Sequence, residues 1–372
     1  MYREISQQIK DFIKKPNSRA VLILGLRQTG KTTLAKNVCQ GEKCQFFNFD
    51  LVSDRQEFFE TNRHSLADFS ERFKNQIIII DEVQKMPEAT EVIKHLYDQY
   101  KMKFILTGSS ELKIKKNFGD SLAGRLRTWR LYPLSFKEIL VQEKKIQEKE
   151  KVDFENAQIK LQKYLVYGSM PAVENMELSQ CPQFLKEFTE TMLSKDILEV
   201  AEVRKSTKIY ALARFLAMQI GQLVNVNELS MLTEISRSTI YNYLDILEQM
   251  NIIIRAYPIS TNERKAISEK FKVYFVDLGM RNSLVNNFDN LTNRLDVGVL
   301  LENAVYVGIK RKMDYNGENY KMGFFRSKTG SEIDIVVKSD KEYLYEVKSA
   351  RKFNLKKGKV KYITKENVGE YL

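Results

Sequence analysis

Two glycines with four residues between them, then a lysine and a hydroxyl, form the stretch Gly25-Leu26-Arg27-Gln28-Thr29-Gly30-Lys31-Thr32. These residue types can hold a phosphate. The glycines let backbone N–H groups approach oxygens where a side chain would block them. Lys31 offers a point charge to the terminal phosphates, and Thr32 offers a hydroxyl ligand to Mg²⁺, with Thr33 next in the chain. A second group, Asp81-Glu82, ends an apolar run. Asp81 there would position Mg²⁺, and Glu82 would accept a proton from an attacking water. Thr107-Gly108-Ser109-Ser110 ends another run, and either Thr107 or Ser109 can sense a terminal phosphate. Arg125 and Arg127 are candidates to stabilise transition-state charge, in their own subunit or a neighbour's.

The elements between these groups position them. Val21-Leu22-Ile23-Leu24 reads as a strand feeding the glycine loop, and a helix starting near Lys31 adds its positive end to a phosphate site. Residues 1 to 15 read as an amphipathic helix on Ile5, Ile9, Phe12 and Ile13. Residues 45 to 50 alternate as a strand does, and residues 53 to 75 read as polar helix or loop. Ile77-Ile78-Ile79-Ile80 suits a parallel strand buried on both faces, whose carboxyl end is where ligands bind. A helix with Val92, Ile93, Leu96 and Tyr97 on one face leads to the strand Lys103-Phe104-Ile105-Leu106. Strands alternating with helices predict a doubly wound parallel sheet.

A third group lies near the end of the chain. If Ser339-Asp340-Lys341 is a three-residue hairpin loop, Lys338 opposes Glu342 and Asp334 opposes Glu346, with Lys348 on the same face. Ile333, Ile335, Val337, Tyr343, Tyr345 and Val347 then share the other face. A two-residue loop would split the two carboxylates between faces, so hydrophobic and charge patterns select one register. Two carboxylates and a lysine on one face can hold a metal ion and activate water; the other expectation is a salt-bridged, inactive sheet face.

Between these groups, residues 137 to 163 read as a solvated helical connector, and Tyr167-Gly168-Ser169-Met170-Pro171 as a break. Helices follow from Pro182 to Arg204, from Ser206 to Leu223 and from Asn227 to Leu232, and Ser236 caps one running to Met250. The last would bury Ile240, Tyr243, Leu244 and Leu247 and expose Arg237, Ser238, Tyr241 and Asn242. With strands at 252 to 257 and 271 to 276 this predicts a helix-turn-helix with a wing, whose Lys265, Lys270 and Lys272 could meet phosphates. Only one strong cation on the second helix favours a packing or partner-protein role as much as DNA docking.

The motifs G-L-R-Q-T-G-K-T-T-L, I-I-I-I-D-E-V-Q, L-T-G-S-S and L-A-G-R-L-R-T-W-R-L-Y-P-L-S-F together resemble a prokaryotic AAA-superfamily ATPase family whose members carry a C-terminal domain of unknown function. The resemblance implies ATP rather than GTP, with Mg²⁺, and includes the turn at Gly168 and Pro171. The pattern D-x₁₁-E-x-K, from Asp334 through Glu346 to Lys348, is similar to the PD-(D/E)xK nuclease core, with Glu302 resembling its helical acid. Ile333 stands where that pattern has proline, and the tail after Lys348, with Lys356, Lys357, Gly358 and Lys359, is short for a further helix.

The expected fold class is α/β: a P-loop NTPase parallel sheet with flanking helices (residues 1–136), a helical connector (137–204), a winged helix-turn-helix domain (205–285) and a small α+β nuclease-like domain (286–372). The expected function is an ATPase that couples nucleotide state to a C-terminal module contacting nucleic acid, or else an ATP-controlled signalling or scaffold protein with a protein partner. A net charge of +12 over 372 residues favours a polyanionic partner, DNA before RNA, and a homo-oligomer is a further expectation. No apolar run approaches the roughly 20 residues that span a bilayer, and no signal-peptide layout opens the chain, so a cytoplasmic location without membrane contact is expected. Cys39, Cys44, Cys181, His64 and His95 lack zinc-type spacing and are given no metal or redox role.

Overall fold

The computed structural model describes residues 1–63, 65–109, 122, 124–144, 154–197, 206–259, 270–327, 332–348 and 360–372. His64, Ser110, Lys265 and the tail lysines Lys356, Lys357 and Lys359 lie outside the described residues, as does the end of the helix expected to reach Arg204. The chain forms two units, Met1–Tyr132 and Pro133–Leu372. No helix among the described residues is long and apolar enough to cross a membrane.

The first unit is built on a five-stranded parallel sheet of β1 (Ala20–Gly25), β2 (Cys44–Asn48), β3 (Ile77–Asp81), β4 (Lys103–Gly108) and β5 (Leu126–Leu131), in the order β2-β3-β4-β1-β5. Every residue of β1 and β3 is buried, which is why their β-branched runs read so clearly. Leu22, Leu24, Ile78, Ile80 and Phe104 face one core with Phe47, Phe58, Phe69 and Phe73. The last three come from residues 53 to 75, where the helix alternative holds: they fold as the helices Val52–Arg63 and Leu66–Arg72 and their flank, with Phe58, Phe69 and Phe73 buried. Their rings meet edge-on, Phe58 against Phe47 at 5.3 Å and Phe69 against Phe73 at 4.7 Å. The helix Ser6–Lys14 buries Ile9 and Ile13, and Phe12 packs edge-on against Trp129.

The second unit opens on a helix, Phe136–Lys144, capped reciprocally by Ser135 and Glu138. Ile139 is buried within the expected solvated connector of residues 137 to 163, and Phe136, Tyr164 and Leu165 are buried on its two flanks. The helices Val226–Thr233 and Arg237–Gln249 follow, and Ser236 accepts the Thr239 N–H at 3.3 Å as the expected cap. Ile240, Tyr243, Leu244 and Leu247 are buried, while Arg237, Ser238, Tyr241 and Asn242 are exposed. Strands β6 (Leu223–Val224), β7 (Ile253–Pro258) and β8 (Phe271–Phe275) pair antiparallel as β6-β8-β7. This sheet does not stop at the expected boundary between residues 285 and 286. β7 runs parallel to β9 (Lys321–Arg326), and β10 (Glu332–Lys338), β11 (Glu342–Val347) and β12 (Val360–Ile363) extend the same sheet.

The helix Leu278–Leu284 is buried along its whole length and carries part of a buried polar network. Asp296 pairs with Arg281 at 2.5 Å and Arg294 at 2.8 Å. Burial opposes ionisation of Asp296, but the two guanidiniums outweigh it and hold the carboxyl down at about 2. The folded-state value lies below the unfolded one, so this contribution is present above about pH 4 and is lost as pH falls towards 2. With the carboxylate about a quarter exposed, solvent screening leaves roughly 1–2 kcal/mol. Urea denaturation of Asp296→Asn and wild type is expected to differ by that amount at pH 7, with the difference shrinking as pH falls through about 2. A constant difference would contradict the assignment.

Candidate nucleotide site

The glycine loop joins β1 to the helix Lys31–Val38 at the carboxyl end of the sheet. Gly30 has a φ of 90°, which excludes a β-carbon at little cost only for glycine. Gly25 is required for a different reason, because a β-carbon there would lie 2.3 Å from the Leu131 carbonyl oxygen of β5. Gln28 also adopts a left-handed conformation, φ 61°, without being glycine. Thr29 is buried and closes the turn on the Leu26 carbonyl at 2.8 Å, while Arg27, Gln28 and Thr33 are exposed. Lys31 is buried and donates to the carbonyls of Gly25 at 3.2 Å and Leu26 at 3.0 Å. Burial lowers its ammonium pKa, against the pull of Glu82 and Asp81.

The sheet order places β4 between β1 and β3, and the polar ends of all three meet. Thr32 donates to Asp81 Oδ2 at 2.7 Å, and the Thr107 hydroxyl donates to Asp81 Oδ1. The Glu82 N–H donates to Thr107 at 3.2 Å, and the Ser109 hydroxyl donates to Glu82 Oε2 at 3.0 Å. Thr107 and Ser109, between which the pattern did not choose, thus serve different acids. Glu82 itself is held at φ 52°, a sparsely populated conformation for a non-glycine residue. Hydroxyl and carboxylate oxygens are the donors that Mg²⁺ selects, so Thr32 and Asp81 fit that ion.

Two contributors were not anticipated. Arg3, 3% exposed, donates to the carbonyls of Thr29 and Tyr132 and so braces the loop from beneath. Gln84 donates its amide N–H to Glu82 Oε2 and to Ser109. It stands inside the motif I-I-I-I-D-E-V-Q, where only the acids suggested chemistry.

Within one chain neither arginine joins this group. Arg125 forks onto Asp98 with three hydrogen bonds of 2.8–3.0 Å. Arg127 lies over the Phe12 and Trp129 rings and is paired opposite Val21, four residues upstream of Gly25. At about 3.3 Å per residue that is roughly 13 Å from the loop. Arg125→Ala is therefore expected to change the hydrolysis rate less than threefold in dilute protein. A loss of a hundredfold or more would show it acting on a neighbour's nucleotide.

The C-terminal hairpin has the expected register, Lys338 opposite Glu342 and Ile335 opposite Tyr345. Its charged residues are engaged one by one. Asp334 accepts the Val347 N–H at 2.8 Å, and Glu346 pairs with Lys348 at 3.1 Å. Glu302, on the helix Val297–Asn316, accepts from Tyr274 at 2.6 Å and Lys272 at 3.0 Å. Burial raises the Glu302 carboxyl above its ordinary value despite Lys272, and burial likewise raises Asp334. Among the described residues no three His, Cys, Asp or Glu side chains are grouped to hold a metal ion. The residues of the expected second metal site, Glu302, Asp334, Glu346 and Lys348, are thus each paired within the chain.

Comparison with known proteins follows this division. An AAA domain model matches residues 17–140, and two domains of unknown function, DUF8612 and DUF4143, match residues 158–291 and 297–370. An uncharacterized protein of Methanocaldococcus jannaschii is 26% identical over 90% of this chain and 76% of its own length. A replication factor C small subunit of Staphylothermus marinus is 23% identical over 83% of this chain and 91% of its own. A Walker-type ATPase of Pyrococcus abyssi superposes with a TM-score of 0.51 at 16% identity, covering 76% of this chain and 95% of that one, which is a likeness of fold. Loop geometry, strand order and the domain match agree that the chain carries, across residues 17–140, an AAA domain of the P-loop ATPase family.

Proposed function

We propose that the protein binds ATP with Mg²⁺, hydrolyses it, and couples its nucleotide state to a C-terminal unit that contacts nucleic acid, DNA before RNA. One observation carries the hydrolytic reading. Asp81 accepts hydroxyls from Thr32 and Thr107 while Glu82 is steadied next to it by Ser109. Mg²⁺, when bound through Thr32 and Asp81, would neutralise charge on the terminal phosphates. The backbone from Gly25 to Thr33 holds the phosphates, and Lys31 leaves its two carbonyls for their oxygens. Glu82 orients water and accepts its proton. Thr107 links the Asp81 carboxylate to the Glu82 backbone, so a change at the metal is passed to the base. The preference for ATP rests on the family resemblance.

Nucleic-acid contact is supported by the net charge of +12 and by exposed Arg237, Ser238, Tyr241 and Asn242 on one helix, in the winged helix-turn-helix arrangement proposed for these elements. A similarity to a replication factor is in keeping with it. A second reading, a scaffold with a protein partner, is favoured by apolar exposure on the helix before it, Met231 at 76% and Leu232 at 53%. Binding of a duplex measured against salt separates them. The nucleic-acid reading expects log K to fall linearly with log salt and Arg237→Glu to weaken binding at least tenfold. No binding at 50 mM salt would favour the scaffold.

A further inference from the structure

We propose that Lys272 supplies from within the chain the positive charge that a metal nuclease takes from a divalent cation, so the carboxylate cluster on the C-terminal sheet is closed to metal and does not cleave nucleic acid. The inference rests on the C-terminal unit alone and stands or falls independently of the ATPase reading. It refines the proposed contact with nucleic acid to binding without cutting.

Lys272 enters from β8, a strand outside the D-x₁₁-E-x-K pattern. Its side chain is 4% exposed, and its ammonium lies 3.0 Å from Glu302 Oε1 and 2.7 Å from Glu332 Oε1. The ring of Phe324 covers it at 5.3 Å. An ammonium is a compact charge with three donors. Here two go to carboxylates on different elements, the helix Val297–Asn316 and β10. The Tyr274 hydroxyl completes the coordination of Glu302, and Lys348 serves Glu346.

Each acid that would ligate a metal thus has a donor built into the fold. Mg²⁺ demands near-octahedral oxygen ligands at about 2.1 Å. To collect Glu302 and Asp334 it would have to take Glu302 from a buried ammonium, leaving Lys272 with Glu332 alone, and removing one partner of a buried charge is unfavourable. The lysine does what a metal does electrostatically, by joining carboxylates that would otherwise repel. It cannot lower the pKa of a bound water or polarise a phosphate as a divalent cation does. Cohesion is therefore retained and the hydrolytic chemistry is not.

The test is Mn²⁺ binding to the full-length protein without nucleotide, followed by electron paramagnetic resonance, together with Mn²⁺-dependent cleavage of single-stranded and duplex DNA. Wild type and Asp334→Asn should bind the same amount of Mn²⁺ and neither should cleave. Lys272→Met should gain about one Mn²⁺ per chain, and adding Asp334→Asn to it should remove that ion. Mn²⁺ should also raise the unfolding temperature of Lys272→Met through this site. Binding or cleavage by wild type that Asp334→Asn abolishes would overturn the proposal, as would a folded Lys272→Met that takes up no extra Mn²⁺. Should Lys272→Met fail to fold, the wild-type and Asp334→Asn pair decides the matter unaided.

Discussion

Glu82→Gln is expected to bind MgATP within about threefold of wild type and to hydrolyse it some 10²–10⁴ times more slowly, the range of a lost general base. Glutamine keeps the size and one acceptor oxygen, so the hydrogen bond from Ser109 can persist. Its amide cannot take the proton from water. Asp81, Thr32 and Lys31 are untouched, so the phosphates and Mg²⁺ lose no ligand. The split between preserved binding and lost turnover separates a base from a merely structural acid, whose loss would weaken both. Fluorescent nucleotide titration and phosphate release, read together, make the comparison. A variant with more than a tenth of wild-type turnover would remove Glu82 from the mechanism.

The largest effect on folding is expected from Gly168→Ala. Gly168 has a φ of 73°, and a β-carbon there would lie 2.3 Å from Asp277 Oδ1 and 2.5 Å from Oδ2. That carboxylate cannot move without consequence. It accepts the Ser169 N–H at 2.8 Å and the Met280 N–H at 3.1 Å, both buried. Burial pushes it up to about 6 although these donors favour its ionised form. Displacing it strands two buried donors at about 1–3 kcal/mol each, and the left-handed backbone adds strain of about 1 kcal/mol. The sum, roughly 3–7 kcal/mol, approaches the whole stability of an ordinary domain. Urea denaturation followed by circular dichroism should show the second unit largely unfolded or strongly shifted. A loss below 1 kcal/mol would mean that the turn is not clamped. Gly168→Asn tolerates the backbone but keeps the β-carbon, and it should recover little.

What could be read ahead of the structure was local or periodic. The Ile77–Ile80 run announced a strand buried on both faces because β-branched residues without alternation have few other uses. The hairpin register, from Ile335 opposite Tyr345 to Lys338 opposite Glu342, followed from a period of two shared by its apolar and charged residues. The glycine loop, Asp81 and Glu82 were legible because phosphate chemistry fixes both residue type and spacing.

The illegible parts are pairings between residues distant in the chain. Nothing near Arg125 signals that Asp98 waits on the helix Ala89–Tyr100, so the arginine looked available for catalysis. Lys272 was read as a wing residue for phosphates, yet its strand is covered by Glu302 from a helix that begins 25 residues later, at Val297. Phe58 and Phe69 lie in a segment whose polar majority hides two apolar faces. The join of β7 to β9, which merges two expected domains into one sheet, rests on backbone pairing of Tyr257 with Gly323 and Pro258 with Phe324. Side-chain pattern carries no record of it.

The central claim is that the Gly25–Thr33 loop and the Asp81-Glu82 pair form a working ATPase site. Steady-state phosphate release from MgATP by wild type and Lys31→Ala tests it most directly. The account predicts measurable, Mg²⁺-dependent turnover in wild type and a loss of at least a hundredfold in Lys31→Ala, because Lys31 is the loop's own buried cation, held on the Gly25 and Leu26 carbonyls. Equal rates in the two proteins, or no MgATP binding by a folded wild type, would contradict it.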